Sequence, residues 1–185
     1  GAECEYGPGT LFWHLPGAAY LDRWASDIPT IAWELAEAFW PGPLTLILKR
    51  TPEISNAVTG GQDTIGVRVP AHPIALELLR DYARAGGGKD GMCGIAAPSA
   101  NRFGRISPTE AAHVHQELGT SVALVLDGGP CVVGIESTII DLTRDGGGSP
   151  RLLRLGRVAP EQIASVIGVL PTMPATGTAV NLPRV

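Results

Sequence analysis

Phe39-Trp40-Pro41-Gly42-Pro43-Leu44-Thr45-Leu46-Ile47-Leu48 packs a helix end, a turn and a strand into one short run. Two prolines flanking a glycine cannot continue a helix, so whatever helix precedes them stops there. The run that follows is too short and too β-rich for a helix and reads as a central strand entered through an aromatic-anchored turn. Upstream, Pro29 to Phe39 has Ile31, Leu35, Ala38 and Phe39 at helical spacing, with Pro29 where a first-turn proline is tolerated.

Working outward, the same alternation of types recurs. Leu11–Leu15 reads as a short buried strand and 17–25 as a helix. Thr64–Val69 is a strand after the turn Thr59-Gly60-Gly61, and His72–Arg84 a helix ended by Gly86-Gly87-Gly88. Gly94–Ala97 is a short strand, and Pro108–Leu118 a helix with Ser107 as its N-cap. Val122–Leu126, Gly134–Leu142 and Leu152–Leu155 are the remaining strands, with a hairpin loop at Gly146-Gly147-Gly148, and Pro160–Ile167 is the last helix. This order predicts an α/β fold with a mixed rather than purely parallel sheet. From Leu170 periodicity gives way to Pro, Thr, Ala and Gly, so the expected division is a domain over 1–169 and a linker-like tail over 170–185.

Composition narrows the class. The 185 residues suit one domain, and 44% hydrophobic with 17% charged residues excludes a disordered chain. No apolar run approaches the ~20 residues of a membrane span, and residues 1–9 lack the pattern of a secretory signal. Cys4, Cys93 and Cys131 are scattered and odd in number, which points to a reducing compartment, the cytoplasm, and away from a disulfide framework or zinc site. A net charge of −4 gives no whole-surface attraction to nucleic acid or anionic membrane.

Three segments carry chemistry. In 96–109, Ala-Ala-Pro-Ser-Ala-Asn-Arg-Phe-Gly-Arg-Ile-Ser-Pro-Thr, small residues leave the backbone open, and Ser99, Asn101, Ser107 and Thr109 offer neutral hydrogen-bonding groups beside Arg102 and Arg105. Amides exposed at a helix start make such a loop a phosphate cradle; a polar loop capped by Ser107 is the plainer alternative. In 126–141, Ser137 and Thr138 sit inside a β-branched run, where a hydroxyl must bond backbone or face a ligand. Glu136 reads equally as a partner for a cation or basic side chain and as a surface carboxylate, and Cys131 as a small packed residue. In Asp63-Thr64-Ile65-Gly66-Val67-Arg68-Val69-Pro70, an arginine within an apolar strand is expensive unless paired. Arg68 therefore points into a polar pocket, its fork suited to a carboxylate or phosphate, with a structural ion pair the equal alternative. His14 and His72 read as structural by themselves.

Taken together, FWPGPLTLIL, DTIGVRVP, AAPSANRFGRISPT, LDGGPCVVGIESTIID and LLRLGRV resemble the YrdC/TsaC family in order and spacing, over about residues 10 to 168. The resemblance implies a twisted mixed sheet with flanking helices and a concave, basic-lined cavity. It also implies an L-threonylcarbamoyladenylate synthase, a nucleotidyltransferase acting on L-threonine, bicarbonate and ATP, with Mg2+ accompanying the ATP, for tRNA t6A modification. Position by position, His14, Arg68, Ala97 (through its backbone) and Ser137 resemble the threonine-binding residues. Thr64, Ser99, Ser107 and Arg154 resemble those lining the nucleotide. Further implied partners are RNA and downstream tRNA-modification proteins; for RNA, Arg102, Arg105, Arg151, Arg154 and Arg157 need to share one face.

The chain also departs from that pattern. The family's opening T-x-T-V-Y-G-L is missing, and where a lysine and an arginine are expected ahead of His14, Glu3 and Glu5 stand. Each absent charged hydrogen bond to a polyphosphate costs ~1.5–3 kcal/mol. The expectation divides between a chain whose beginning is missing and a degenerate member. The rival functions are a YrdC-like module that binds nucleotide or double-stranded RNA without turnover, and a YrdC-like domain of a larger carbamoyl-transfer protein.

Overall fold

The computed structural model describes residues 11–98, 100, 107–131, 136–143 and 149–173. Six strands form one sheet: β1 (Phe12–His14), β2 (Leu44–Lys49), β3 (Thr64–Arg68), β4 (Ile95–Ala96), β5 (Thr138–Asp141) and β6 (Arg151–Arg154). Their order across the sheet is β4-β1-β3-β2-β5-β6. β1 runs parallel to β3 and β2 to β5, while β1–β4, β2–β3 and β5–β6 are antiparallel, so the sheet is mixed as expected.

Alternation along the strands separates two faces with different jobs. Leu44, Leu46 and Leu48 of β2, Ile65 and Val67 of β3, Ile140 of β5 and Leu152 of β6 are all buried in the main core. Against them pack Leu21 and Trp24 of α1 (Leu21–Trp24), Ala32 and Leu35 of α2 (Thr30–Phe39), and Ile163 of α5 (Pro160–Ile167). Each such Leu or Ile is worth ~1.5–3 kcal/mol relative to exposure. On α2 the buried stripe is Ala32, Leu35 and Ala36; Ala38, expected on it, faces solvent. Pro29 immediately precedes α2 in extended backbone (ψ 151°), and its carbonyl accepts the Ala32 N–H at 2.9 Å.

Among the described residues, the opposite face has only a small apolar cluster, Phe12, Ile47, Ile139 and Leu153. Gly66 makes it possible, because a Cβ there would lie 2.6 Å from the Phe12 ring. The rest of that face is left to polar side chains.

Two further sequence expectations fail. α4 spans Ala111–Leu118, so Ser107 is not its N-cap; Glu110 is, without a side-chain cap bond. The chain is held extended before it, the Thr109 carbonyl accepting the Cys131 N–H at 2.7 Å. Val122–Leu126 forms no strand: it finds no ladder partner among the described residues, and Leu124 is 76% exposed. α3 (Pro73–Arg84) matches its prediction. The triple glycine 146–148 lies outside the described residues. No helix among the described residues is long and apolar enough to cross a membrane.

Candidate functional site

Strand register lines polar residues up on the sparsely covered face. His14 of β1 is the parallel partner of Arg68 of β3. Leu46 pairs with Val67, and continuing that register one residue sets Thr45 of β2 across from Arg68. Thr45 in turn pairs with Ile139, and Ile139 with Arg154 of β6. Ser137, two residues before Ile139, shares its face. Residues from 14 to 154 thus form one row across five neighbouring strands.

Hydrogen bonds tie the row together at one end. Arg154 donates from Nε to the Ser137 carbonyl at 2.9 Å and from Nη2 to Ser137 Oγ at 2.8 Å. Its Nη1 pairs with the Glu136 carboxylate, which settles Glu136 as the partner of a basic side chain. Ser137 Oγ also lies 3.1 Å from Thr45 Oγ1. Thr138, facing the other way, accepts the Val158 N–H at 3.0 Å and donates to the Val158 carbonyl at 2.8 Å. The two neighbouring hydroxyls, equivalent in sequence, therefore divide: Thr138 is structural and Ser137 faces the site.

The other end of the row is electrostatically unsatisfied. Arg68 Nε is buried with no hydrogen-bond partner among the described residues. Burial, and secondly the like charge of Arg154, push the Arg68 pKa down from its ordinary value. Burial, and then the Arg68 charge, lower His14 from 6.5 to about 3, so the imidazole is neutral near pH 7. A cation left short of partners in a poorly solvated place is a site for an anion.

Beside the row opens a cavity of about 260 Å³ lined by Pro43, Arg68, His72, Glu136, Ser137 and Arg157, among others. Its rim includes a close crossing: a Cβ on Gly156 would lie 2.3 Å from the Glu136 carbonyl oxygen and 2.4 Å from Thr138 N. Only glycine lets the 155–157 segment pass there, and the Arg157 N–H donates to Glu136 O at 3.1 Å.

Of the residues expected at the site, His14, Arg68, Ser137 and Arg154 are brought together. Ala97 follows β4 and donates its N–H to Phe12 O at 2.9 Å, which leaves its carbonyl as the backbone group it can offer. Thr64 begins β3 while Arg68 ends it, about 13 Å along the strand at the usual rise, and Thr64 Oγ1 bonds Gln62 Oε1 at 3.5 Å. Ser107 leads into a mostly apolar groove lined by Ile74, Leu78, Pro108, Val114 and Leu126, which adjoins the cavity at His72. Ser99, Arg102 and Arg105 lie outside the described residues, as do Glu3, Glu5 and Cys4. Arg151 pairs with Asp141 at 3.5 Å, not with the Arg154 group. Sequence reasoning missed Thr45 and treated His72 as structural; a lone hydroxyl in Leu-Thr-Leu-Ile-Leu was the available signal, because a buried hydroxyl needs a partner.

Fold and site together define an α/β domain whose mixed sheet carries an arginine-lined pocket with the charge to suit a small anion. Residues 10–156 match the Sua5/YciO/YrdC family model, described as "Telomere recombination". A threonylcarbamoyl-AMP synthase of Pyrococcus abyssi is 42% identical over 165 residues, 89% of this chain and 45% of that protein. One from Bacillus subtilis is 41% identical over 159 residues, 85% of this chain and 42% of that protein. The crystal structure of P. abyssi Sua5 complexed with L-threonine superposes with a TM-score of 0.79 at 36% identity, over 96% of this chain and 50% of that one. The chain belongs to the Sua5/YciO/YrdC family, and it spans about half the length of the curated relatives it matches.

Proposed function

We propose that this chain carries the site of a threonylcarbamoyl-AMP synthase, joining L-threonine, bicarbonate and ATP into threonylcarbamoyl-AMP with release of water and pyrophosphate. The observation that carries the reading is Arg68: a guanidinium with a buried Nε and no anionic partner among the described residues, flanked by neutral His14 and by Ser137 on a cavity of amino-acid size. The relatives' names and the threonine complex of P. abyssi Sua5 support it.

In this reading Arg68 clamps the threonine carboxylate and Ser137 Oγ donates to one of its oxygens. The Ala97 carbonyl accepts from the substrate nitrogen. His14, uncharged, packs and bonds without competing for the carboxylate. Arg154, Ser99, Ser107 and Thr64 serve the nucleotide; Arg154 neutralises phosphate once Glu136 is displaced or shared, and Arg157 stands beside it on the cavity. The carbamate oxygen of carboxylated threonine attacks the α-phosphorus, forming the new O–P bond as the bond to pyrophosphate breaks. The substrate brings its own nucleophile, so the protein contributes alignment and charge neutralisation. Among the described residues no group of three His, Cys, Asp or Glu gathers to hold a metal, and Glu136, the carboxylate on the cavity, is engaged by Arg154. Magnesium is assigned no protein ligand and no step. RNA and tRNA-modifying proteins that consume the product are partners of the same proposal.

The test is calorimetry of the purified chain with L-threonine, paired with pyrophosphate release in ATP and bicarbonate. Threonine binding with release is expected. Binding without release points instead to a non-catalytic binding module, and absence of both overturns the reading.

A further inference from the structure

We propose that Thr45 is a positioning residue that orients the Ser137 hydroxyl as a hydrogen-bond donor to the substrate. The proposal rests on the threonine-site reading above and adds a residue to it.

A serine hydroxyl has one proton and two lone pairs. At Ser137, Arg154 Nη2–H already occupies a lone pair. Thr45 Oγ1 stands 3.1 Å away, and geometry alone allows either hydroxyl to donate. Their surroundings differ. Thr45 is 1% exposed, and Ser137 Oγ is the one side-chain partner its hydroxyl has among the described residues. If Ser137 donated, the Thr45 proton would be buried without an acceptor, which costs more than the bond returns. If Thr45 donates, Ser137 accepts twice and its own proton is turned to the cavity it lines, where an acceptor oxygen can meet it. The second arrangement leaves nothing unsatisfied once ligand is bound.

Ser137 is thereby fixed as a one-way donor. The site favours ligands that present an acceptor, such as a carboxylate oxygen, and disfavours ligands that present a donor at that point. Thr45 sits one rung from Arg68 on the same face, so the hydroxyl pair and the guanidinium converge on one anionic group.

Thr45→Val keeps the β-branched shape that suits a central strand and removes only the hydroxyl. L-threonine titrations are expected to show binding weakened about fivefold in T45V, the size of one neutral hydrogen bond. T45S restores affinity to within about twofold, which a loss of packing alone would not allow. In a double-variant cycle, T45V adds nothing to the loss caused by S137A, because the effect runs through Ser137. Circular dichroism checks folding, and T45A replaces T45V should the valine fail it. Equal affinity in wild type and T45V, or additive losses in T45V/S137A, overturns the role of Thr45 while leaving the threonine site standing. Absence of threonine binding in the wild-type chain overturns both.

Discussion

In the proposed reading, Arg68 lowers the stability of the ligand-free fold in return for holding the substrate carboxylate. A guanidinium held in β3 with Nε unpaired among the described residues and a second arginine nearby opposes folding. Arg68→Met should therefore raise the urea midpoint of the ligand-free protein while reducing threonine affinity more than tenfold, the worth of a charged hydrogen bond. Parallel urea melts and calorimetry read the two effects, and a variant losing both would mean Arg68 is a structural ion-pair member. His14 sets a pH signature of its own. Its pKa is depressed to about 3 in the fold against 6.5 for an ordinary imidazole. Below pH 6.5 the unfolded chain takes up a proton that the folded chain refuses until about pH 3. Stability from this group is thus complete above 6.5 and drains as pH falls, at about 1.4 kcal/mol per pH unit for one proton. His14→Gln should flatten the pH dependence of unfolding free energy across that window, and should leave the pH dependence of threonine binding between pH 6 and 8 unchanged.

At the level of elements, the segment between β6 and α5, packed on the start of β5, holds the site in shape. Thr138 fastens β5 to the Val158 backbone with two bonds, so Thr138→Val orphans a buried N–H and carbonyl. A loss of about 2–4 kcal/mol is expected in chemical denaturation, from ~1–2 for each orphaned group. Gly156→Ala should do less to overall stability than to the site: the Cβ forces the 155–157 segment off the 136–138 backbone and carries Arg157 away from the cavity. Threonine affinity should fall while the cooperative unfolding transition persists, measured on the same sample. Most strands and helices were readable from periodicity and from Gly and Pro stops, since β1, β2, β3, α3 and α5 each combine a clear pattern with a clear boundary. Val122–Leu126 has the pattern of a strand but finds no neighbour among the described residues to complete it, and pattern alone says nothing of neighbours. The start of α4 was hidden for a similar reason: the tie from Cys131 to Thr109 is a long-range contact that overrides a local Ser-Pro start signal. In the site, motif resemblance pointed to His14, Arg68, Ser137 and Arg154, whereas Thr45 needed the register of two sheet pairings before its face was known.

Across the whole molecule, a chain of net charge −4 places Arg68 and Arg157 on one cavity, with Arg154 held next to it on Glu136 and Ser137. Binding of an anionic ligand there should weaken as salt is raised from about 0.05 to 0.5 M, since screening lengths shrink below the span of the pocket. A salt-independent affinity would argue against charge as the main attraction. The row from β1 to β6 has one more effect. Its members are supplied by strands far apart along the chain, so no fragment shorter than nearly the whole fold contains a usable pocket. A small molecule seated there acts as a latch on every strand it spans. Occupancy should slow amide exchange in β1 and β6 alike, although those two strands never touch.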